Sequence, residues 1–157
     1  HFASLIRKDS KFSPPVRSPL NRSLIRDLKL GTFTMDLRMQ STIPDYGHRD
    51  LCLFFGYQDD SHLYYVHFGK KTDDHANQIF IVNDEPRNKI STKTTSGTPW
   101  TVRIARSVET GDVNVYFDDL TTPAMTATDK TFGEGRVGFG SFDDTGNFDD
   151  VRIYVPE

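Results

Sequence analysis

The sequence lacks several features that would place it in well-defined classes. It has one cysteine, Cys52, which excludes an internal disulfide. No apolar run approaches the roughly 20 residues of a membrane-spanning helix, so we expect no membrane span. The formal net charge is −3 and the positive residues form no stripe, which disfavours a nucleic-acid partner. No segment shows a helical period longer than two turns, which disfavours helical folds.

The length of 157 residues suits one domain. We predict a single β-sandwich domain over residues 1–157, in which residues 1–30 form a less regular N-terminal arm. Several prolines interrupt that arm, and one short helix or strand is expected near Ser23–Leu30. Because the chain starts at His1, we expect it to begin at a processing site or inside a larger protein.

Aromatic residues and period-two alternation dominate the rest of the chain. Aromatics make up 12% of the sequence, and apolar residues alternate with polar ones in about eight short segments separated by turn residues. This pattern predicts an all-β, antiparallel sandwich. Trp100 is predicted to face inward with a core formed by Phe33, Met35, Leu37, Leu51, Leu53, Phe55, Tyr64, Val66, Phe68, Ile79, Ile81, Val102, Ile104, Val113, Val115 and Phe117.

The residues between these core positions face the other side of each strand. They combine aromatic rings with planar polar groups. Sugars are bound by such mixtures, because rings stack on C–H faces and planar polar groups bind hydroxyls in pairs. We therefore predict a ligand-binding surface formed by Arg38, Asp50, Phe54, Tyr65, His67, Gln78 and Arg87. The alternative is a second packed layer in which the N-terminal arm covers this face.

The last quarter of the chain reads as two strands joined by a polar turn: GEGRVGFGSFDDTGNFDDVRIYV, residues 133–155. With the segments DLCLFFGYQDDSHLYYVHFGKK and NQIFIVNDEPR, it resembles the concanavalin A-like jelly roll. The similarity is to exported bacterial proteins of unassigned function, near polysaccharide-degradation genes. It implies a location outside the cytoplasm and a polysaccharide or oligosaccharide partner. It also implies a structural Ca²⁺ held by Asp149 or Asp150 on the final strand, although turn capping explains these residues more simply.

This superfamily includes both binding and cleaving proteins, so three functions stay open. The leading hypothesis is a non-catalytic glycan-binding module of an exported protein. The second is a polysaccharide lyase or glycoside hydrolase that uses Tyr65 as acid and His67 as base, assisted by Arg38 or Arg87. The third is a structural or adhesive domain. The E-x-D-x-x-E and Q-x-H motifs of related hydrolases and lyases are absent, and only four glutamates occur, which makes a two-carboxylate hydrolase harder to build.

Overall fold

The structure, a computed structural model, describes residues 3–157; residues 1 and 2 of the predicted arm lie outside this range. Thirteen strands and no helix occur within it. The described residues therefore contain no helix that could cross a membrane. The strands are β1 Ala3–Leu5, β2 Asn21–Leu30, β3 Phe33–Ser41, β4 Leu51–Asp59, β5 His62–Phe68, β6 Gln78–Asn83, β7 Asn88–Lys89, β8 Ser91–Lys93, β9 Thr101–Arg106, β10 Asp112–Phe117, β11 Met125–Thr128, β12 Gly135–Ser141 and β13 Gly146–Tyr154.

The strands form two antiparallel sheets. The seven-stranded sheet has the order β1-β13-β3-β9-β10-β11-β8, and the six-stranded sheet has the order β2-β12-β4-β5-β6-β7. Neighbouring strands are often far apart in sequence: β3 pairs with both β9 and β13. The prediction of an all-β antiparallel sandwich is therefore confirmed.

The core lies between the sheets and follows the period-two pattern. In β3 the residues Phe33, Met35, Leu37 and Met39 are buried, and the residues between them are at least partly exposed. Successive side chains on a strand point to opposite faces, so one apolar parity per strand is enough to build the core. All sixteen residues predicted for the core alongside Trp100 belong to this cluster, with Ile81 and Phe117 at its margin. Trp100 does not.

The segment 21–30 is more regular than the sequence indicated. It forms the ten-residue strand β2, which pairs with β12 at the edge of the six-stranded sheet. Close contact requires glycine in β12: a Cβ at Gly140 would lie 2.0 Å from the Asn21 carbonyl oxygen and 2.6 Å from the Phe54 ring. The N-terminal segment is thus built into the sheet.

The two sheets differ in their outer faces. Seven consecutive residues of β4, Leu51–Tyr57, are buried, so the six-stranded sheet is covered on both sides. The seven-stranded sheet is covered on one side only: Arg38 and Gln40 of β3 are exposed on its outer face. A ligand can therefore reach the seven-stranded sheet and the loops at the ends of the sandwich.

Candidate functional site

The outer face of the six-stranded sheet is a second packed layer, which corrects the predicted ligand-binding surface. Phe54 and Tyr65 have no exposed area, and His67 and Gln78 are 4% and 3% exposed. Val16 and Leu24 from the N-terminal segment and Phe142 from the β12–β13 turn pack against this layer. The alternation correctly predicted that these side chains share one face of the sheet. It did not predict that the N-terminal segment covers that face.

Arg87 forms part of this cover. Its guanidinium lies 4.7 Å from the ring centre of Phe142 and 5.3 Å from that of Phe80. Its backbone N–H donates to the Arg17 carbonyl oxygen at 3.1 Å, which ties the arm to the sheet. Arg87 therefore stabilises the covering layer by cation–π contacts.

Tyr65 and His67, the acid and base of the enzyme hypothesis, are poorly suited to proton transfer. Burial raises the pKa of the Tyr65 hydroxyl well above its ordinary value and lowers the pKa of His67 to about 4. The two ring nitrogens of His67 lie 2.7 Å and 3.0 Å from the carbonyl oxygens of His75 and Arg49. Since a general base must reach its substrate proton, the structure contradicts these two roles, and His67 instead supports the backbone at Arg49.

Asp50 and Gln78 bind backbone groups. The Asp50 carboxylate accepts hydrogen bonds from the N–H groups of Phe142, Asp143 and Asp144, at 3.1, 3.3 and 3.1 Å. The Gln78 amide donates to the Asp73 carbonyl oxygen at 2.8 Å. Of the seven predicted ligand-binding residues, five are buried, Arg87 is partly exposed and Arg38 is exposed.

The structure places Trp100 on the surface, contrary to the prediction. Its side chain, that of the only tryptophan in the chain, is 51% exposed. Trp100 precedes β9, so the inward parity of Val102 and Ile104 does not extend to it. Its position directly after the turn residues Gly97 and Pro99 was the feature of the sequence that indicated an exposed side chain.

The backbone of Trp100 is held at both ends. Its N–H donates to the Asp118 carboxylate at 3.0 Å, and its carbonyl oxygen accepts from the Met39 N–H at 3.0 Å. The indole ring therefore projects from a fixed point, and little backbone ordering is required when a ligand contacts it.

A cleft lies beside Trp100 at one end of the sandwich. We call it the Arg49 cleft; its volume is about 260 Å³. Its lining combines apolar side chains with polar groups from three loops: Met39, Gln40, Ser41, Arg49, Leu51, Phe68, Gly69, Lys70, Gly97, Thr98, Pro99 and Trp100. Such a combination fits a ligand that is apolar on one side and polar on the other.

Backbone hydrogen bonds join the three loops of the Arg49 cleft. The N–H groups of Lys70 and Lys71 donate to the Gly47 carbonyl oxygen at 3.0 and 3.1 Å. The Gly97 N–H donates to the Lys70 carbonyl oxygen at 3.0 Å. Because each loop is bonded to its neighbour, the cleft is preformed.

A second cleft, the Arg38 cleft, lies on the other side of Trp100 and has a volume of about 210 Å³. It is lined by Arg38, Met39, Gln40, Trp100, Asn147 and Asp149. Arg38 pairs with Asp150 at 3.3 Å. Met39, Gln40 and Trp100 border both clefts, so the two form one surface around the indole.

A larger groove, of about 570 Å³, lies between residues 4–12 and β2. Arg22, one of its two basic residues, is already engaged: it pairs with Asp60 at 3.2 Å and lies 4.8 Å from the ring centre of Phe12. Polar and aromatic groups in this groove thus bind one another, which makes it a weaker candidate than the Trp100 surface.

Among residues 3–157, one group of carboxylates could hold a metal ion. Asp50, Asp143 and Asp144 each bring a carboxylate oxygen within 4.8 Å of the other two. Asp149 and Asp150, the predicted ligands, lie outside it: the Asp149 carboxylate accepts the Asp150 N–H at 2.8 Å. Carboxylate oxygens suit a hard cation such as Ca²⁺, so the donors of this group fit such an ion.

The same group predicts a pH-dependent stability. Burial and the neighbouring Asp144 raise the pKa of Asp50 to about 7. Between about pH 4 and this value the folded state holds a proton that the unfolded chain has released. The Asp50 contribution to the free energy of unfolding should therefore fall as pH rises from about 4 to 7, by at most about 1.4 kcal/mol per pH unit. It opposes the contribution of His67, whose lowered pKa makes stability rise with pH over much of the same range.

Urea unfolding at several pH values measures this slope. Asp50→Asn should make the slope between about pH 4 and 7 more positive than in wild type, whereas Asp27→Asn, an exposed change on β2, should leave it unchanged. Equal slopes for wild type and Asp50→Asn would contradict the assignment.

The chain is similar to known proteins in its fold but not in its sequence. No protein-family model and no curated protein sequence matches this chain. Among solved structures, it is similar to the carbohydrate-binding module CBM66 from Bacillus subtilis, with a TM-score of 0.67 and 16% identity over 98% of this chain and 95% of the other. It is also similar to a protein named as a candidate glycosyl hydrolase from Parabacteroides distasonis, with a TM-score of 0.53 and 9% identity over 82% and 80%. These likenesses show the fold alone: the chain is a β-sandwich jelly roll, as the sequence predicted.

Proposed function

We propose that the chain is a non-catalytic glycan-binding module and that it binds glycans at the Trp100 surface. The observation that carries this proposal is the exposed indole of Trp100 between the Arg49 and Arg38 clefts. Aromatic rings stack on the C–H faces of sugars, and the surrounding amide and guanidinium groups bind hydroxyls.

The lining of the Arg49 cleft favours binding over catalysis. Its residues supply cations, hydroxyls and an amide but no carboxylate, imidazole or phenol, the groups that most often transfer protons in glycan cleavage. The Arg38 cleft supplies one carboxylate, Asp149. The similarity in fold to a carbohydrate-binding module supports the same proposal.

The proposed ligand also implies a location. Polysaccharides lie largely outside the cytoplasm, so we propose that the chain acts outside it, in the periplasm, at the cell surface or after secretion. The proposal of an exported protein rests on the proposed glycan ligand.

A panel of polysaccharides tests binding and cleavage together. The protein should be retained on immobilised glycan, while reducing ends and absorbance at 235 nm stay at background. Released products that require the protein would establish the enzyme alternative, and the absence of retention on every glycan would favour the structural one.

We also propose that Ca²⁺ binds at Asp50, Asp143 and Asp144 rather than at the final strand. An ion bound only to the folded state stabilises it, by about 2.7 kcal/mol at a concentration 100 times its Kd. Ca²⁺ should therefore raise the Tm and EDTA should reverse the shift.

Two variants locate this ion. Asp143→Asn should abolish the Ca²⁺-dependent shift, because Asp143 is the exposed ligand of the group, whereas Asp149→Asn should leave it. The opposite pattern would return the site to the final strand, and no shift in wild type would remove the ion from the fold.

A further inference from the structure

We infer that the Arg49 cleft selects an acidic sugar residue, one that presents a carboxylate or sulfate group. This inference deepens the proposed function and rests on it. It requires that the anionic group of the sugar lie against Arg49 and Lys70 while the ring contacts Trp100.

Unsatisfied donors in the cleft support the inference. The Arg49 Nε and the Ser41 Oγ are both buried, and neither has a hydrogen-bond partner among residues 3–157. Both residues line the cleft. A buried polar group without a partner is costly, so a small rotation of either side chain that brings its donor to an acceptor oxygen of a ligand in the cleft is favoured.

The charges of the cleft point to an anion. Arg49 Nη2 lies 3.1 Å from one oxygen of Asp45, and the Lys70 ammonium contacts the other. One carboxylate therefore faces two cations and leaves one positive charge in excess. Asp45 is more than half exposed at the rim, and no acidic residue lines the Arg49 cleft.

The Arg38 cleft differs in charge. Arg38 is paired with Asp150, and Asp149 contributes a further negative charge to the lining. An anionic group is therefore favoured on the Arg49 side of Trp100 and disfavoured on the Arg38 side.

The shape of the Arg49 cleft suits one sugar unit. Its volume of about 260 Å³ lies below the roughly 300–1,000 Å³ of pockets for drug-sized ligands. Met39, Leu51 and Phe68 add apolar groups to a lining that also holds the polar donors. One ring of an acidic glycan meets both kinds of surface.

A matched pair of polymers tests the inference. Polygalacturonate and its fully methyl-esterified form differ by the charge of the carboxylate, and isothermal titration calorimetry measures the affinity for each. Wild type should bind the acid at least about tenfold more tightly, the contribution of one hydrogen bond to a charged group, and added salt should reduce the difference. A sulfated galactan beside its desulfated form identifies the anion: the pair with the larger difference reports whether carboxylate or sulfate is preferred.

Three variants test whether the preference for the acidic polymer arises in the Arg49 cleft. Arg49→Gln should abolish the preference for the acid. Lys70→Gln, a change at a more exposed side chain, should reduce it by several-fold and covers the case in which Arg49→Gln fails to fold. Arg26→Gln removes the same charge from an exposed position on β2 and should leave the preference unchanged.

The outcomes separate this inference from the proposed function. Equal affinity for the charged and neutral polymers, with both lost in Trp100→Ala, would overturn the acidic preference and leave glycan binding standing. A preference that survives both Arg49→Gln and Lys70→Gln would also overturn it. Failure of every polymer to bind would overturn the proposed function itself.

Discussion

Replacement of Trp100 by alanine should weaken glycan binding by roughly 30-fold or more while leaving the protein folded. A tryptophan at the centre of a binding surface typically contributes about 2 kcal/mol or more, which corresponds to that factor. The indole is 51% exposed, so its loss should lower the free energy of unfolding by about 1 kcal/mol or less. Titration calorimetry and urea unfolding of the same preparations measure the two effects.

Tyr154→Ala is the matched control for this prediction. Tyr154 is 53% exposed and lies near the other end of the same sheet, where it pairs with Thr34. Its removal deletes an exposed aromatic ring of similar accessibility and should leave the affinity unchanged. Wild-type affinity in Trp100→Ala would contradict the placement of the binding surface.

Replacement of Tyr65 by alanine should destabilise the fold by about 3–5 kcal/mol, the usual effect of deleting a large buried aromatic side chain. Tyr65 has no exposed area; its ring centre lies 5.1 Å from that of Phe80 and 6.3 Å from that of Phe142. Urea unfolding measures the loss. A change within about 0.5 kcal/mol, the surface norm, would mean that the arm leaves this face open.

Tyr65→Phe serves as the companion variant. The Tyr65 hydroxyl has no hydrogen-bond partner among the described residues, so its removal should change stability by about 1 kcal/mol or less and leave glycan binding intact. Loss of a glycan-cleaving activity in this variant would instead support the enzyme alternative.

The core could be predicted from the sequence because alternation reports which side chains share a face. It does not report what covers the other face. In β4 and β5 large aromatic residues point to both faces of the sheet, because Phe54 and Phe55 are consecutive and so are Tyr64 and Tyr65. Strands that are apolar on both sides are typical of sheets buried on both faces, and this signal favoured the second packed layer.

The candidate site was harder to predict because its parts are distant in sequence. Met39, Arg49, Lys70 and Trp100 come from four segments that meet only when the two sheets pack. Alternation also placed Arg38 and Tyr65 on one surface, although β3 and β5 belong to different sheets. Parity within a strand does not establish which sheet the strand joins.

The fluorescence of Trp100 tests the central claim most directly, because the chain contains one tryptophan and it lies at the proposed binding surface. Titration with a soluble glycan that the protein retains should produce a saturable change in the intensity and wavelength of emission, with the same Kd as calorimetry. Glycan binding by calorimetry with unchanged emission would place the ligand elsewhere and contradict the account.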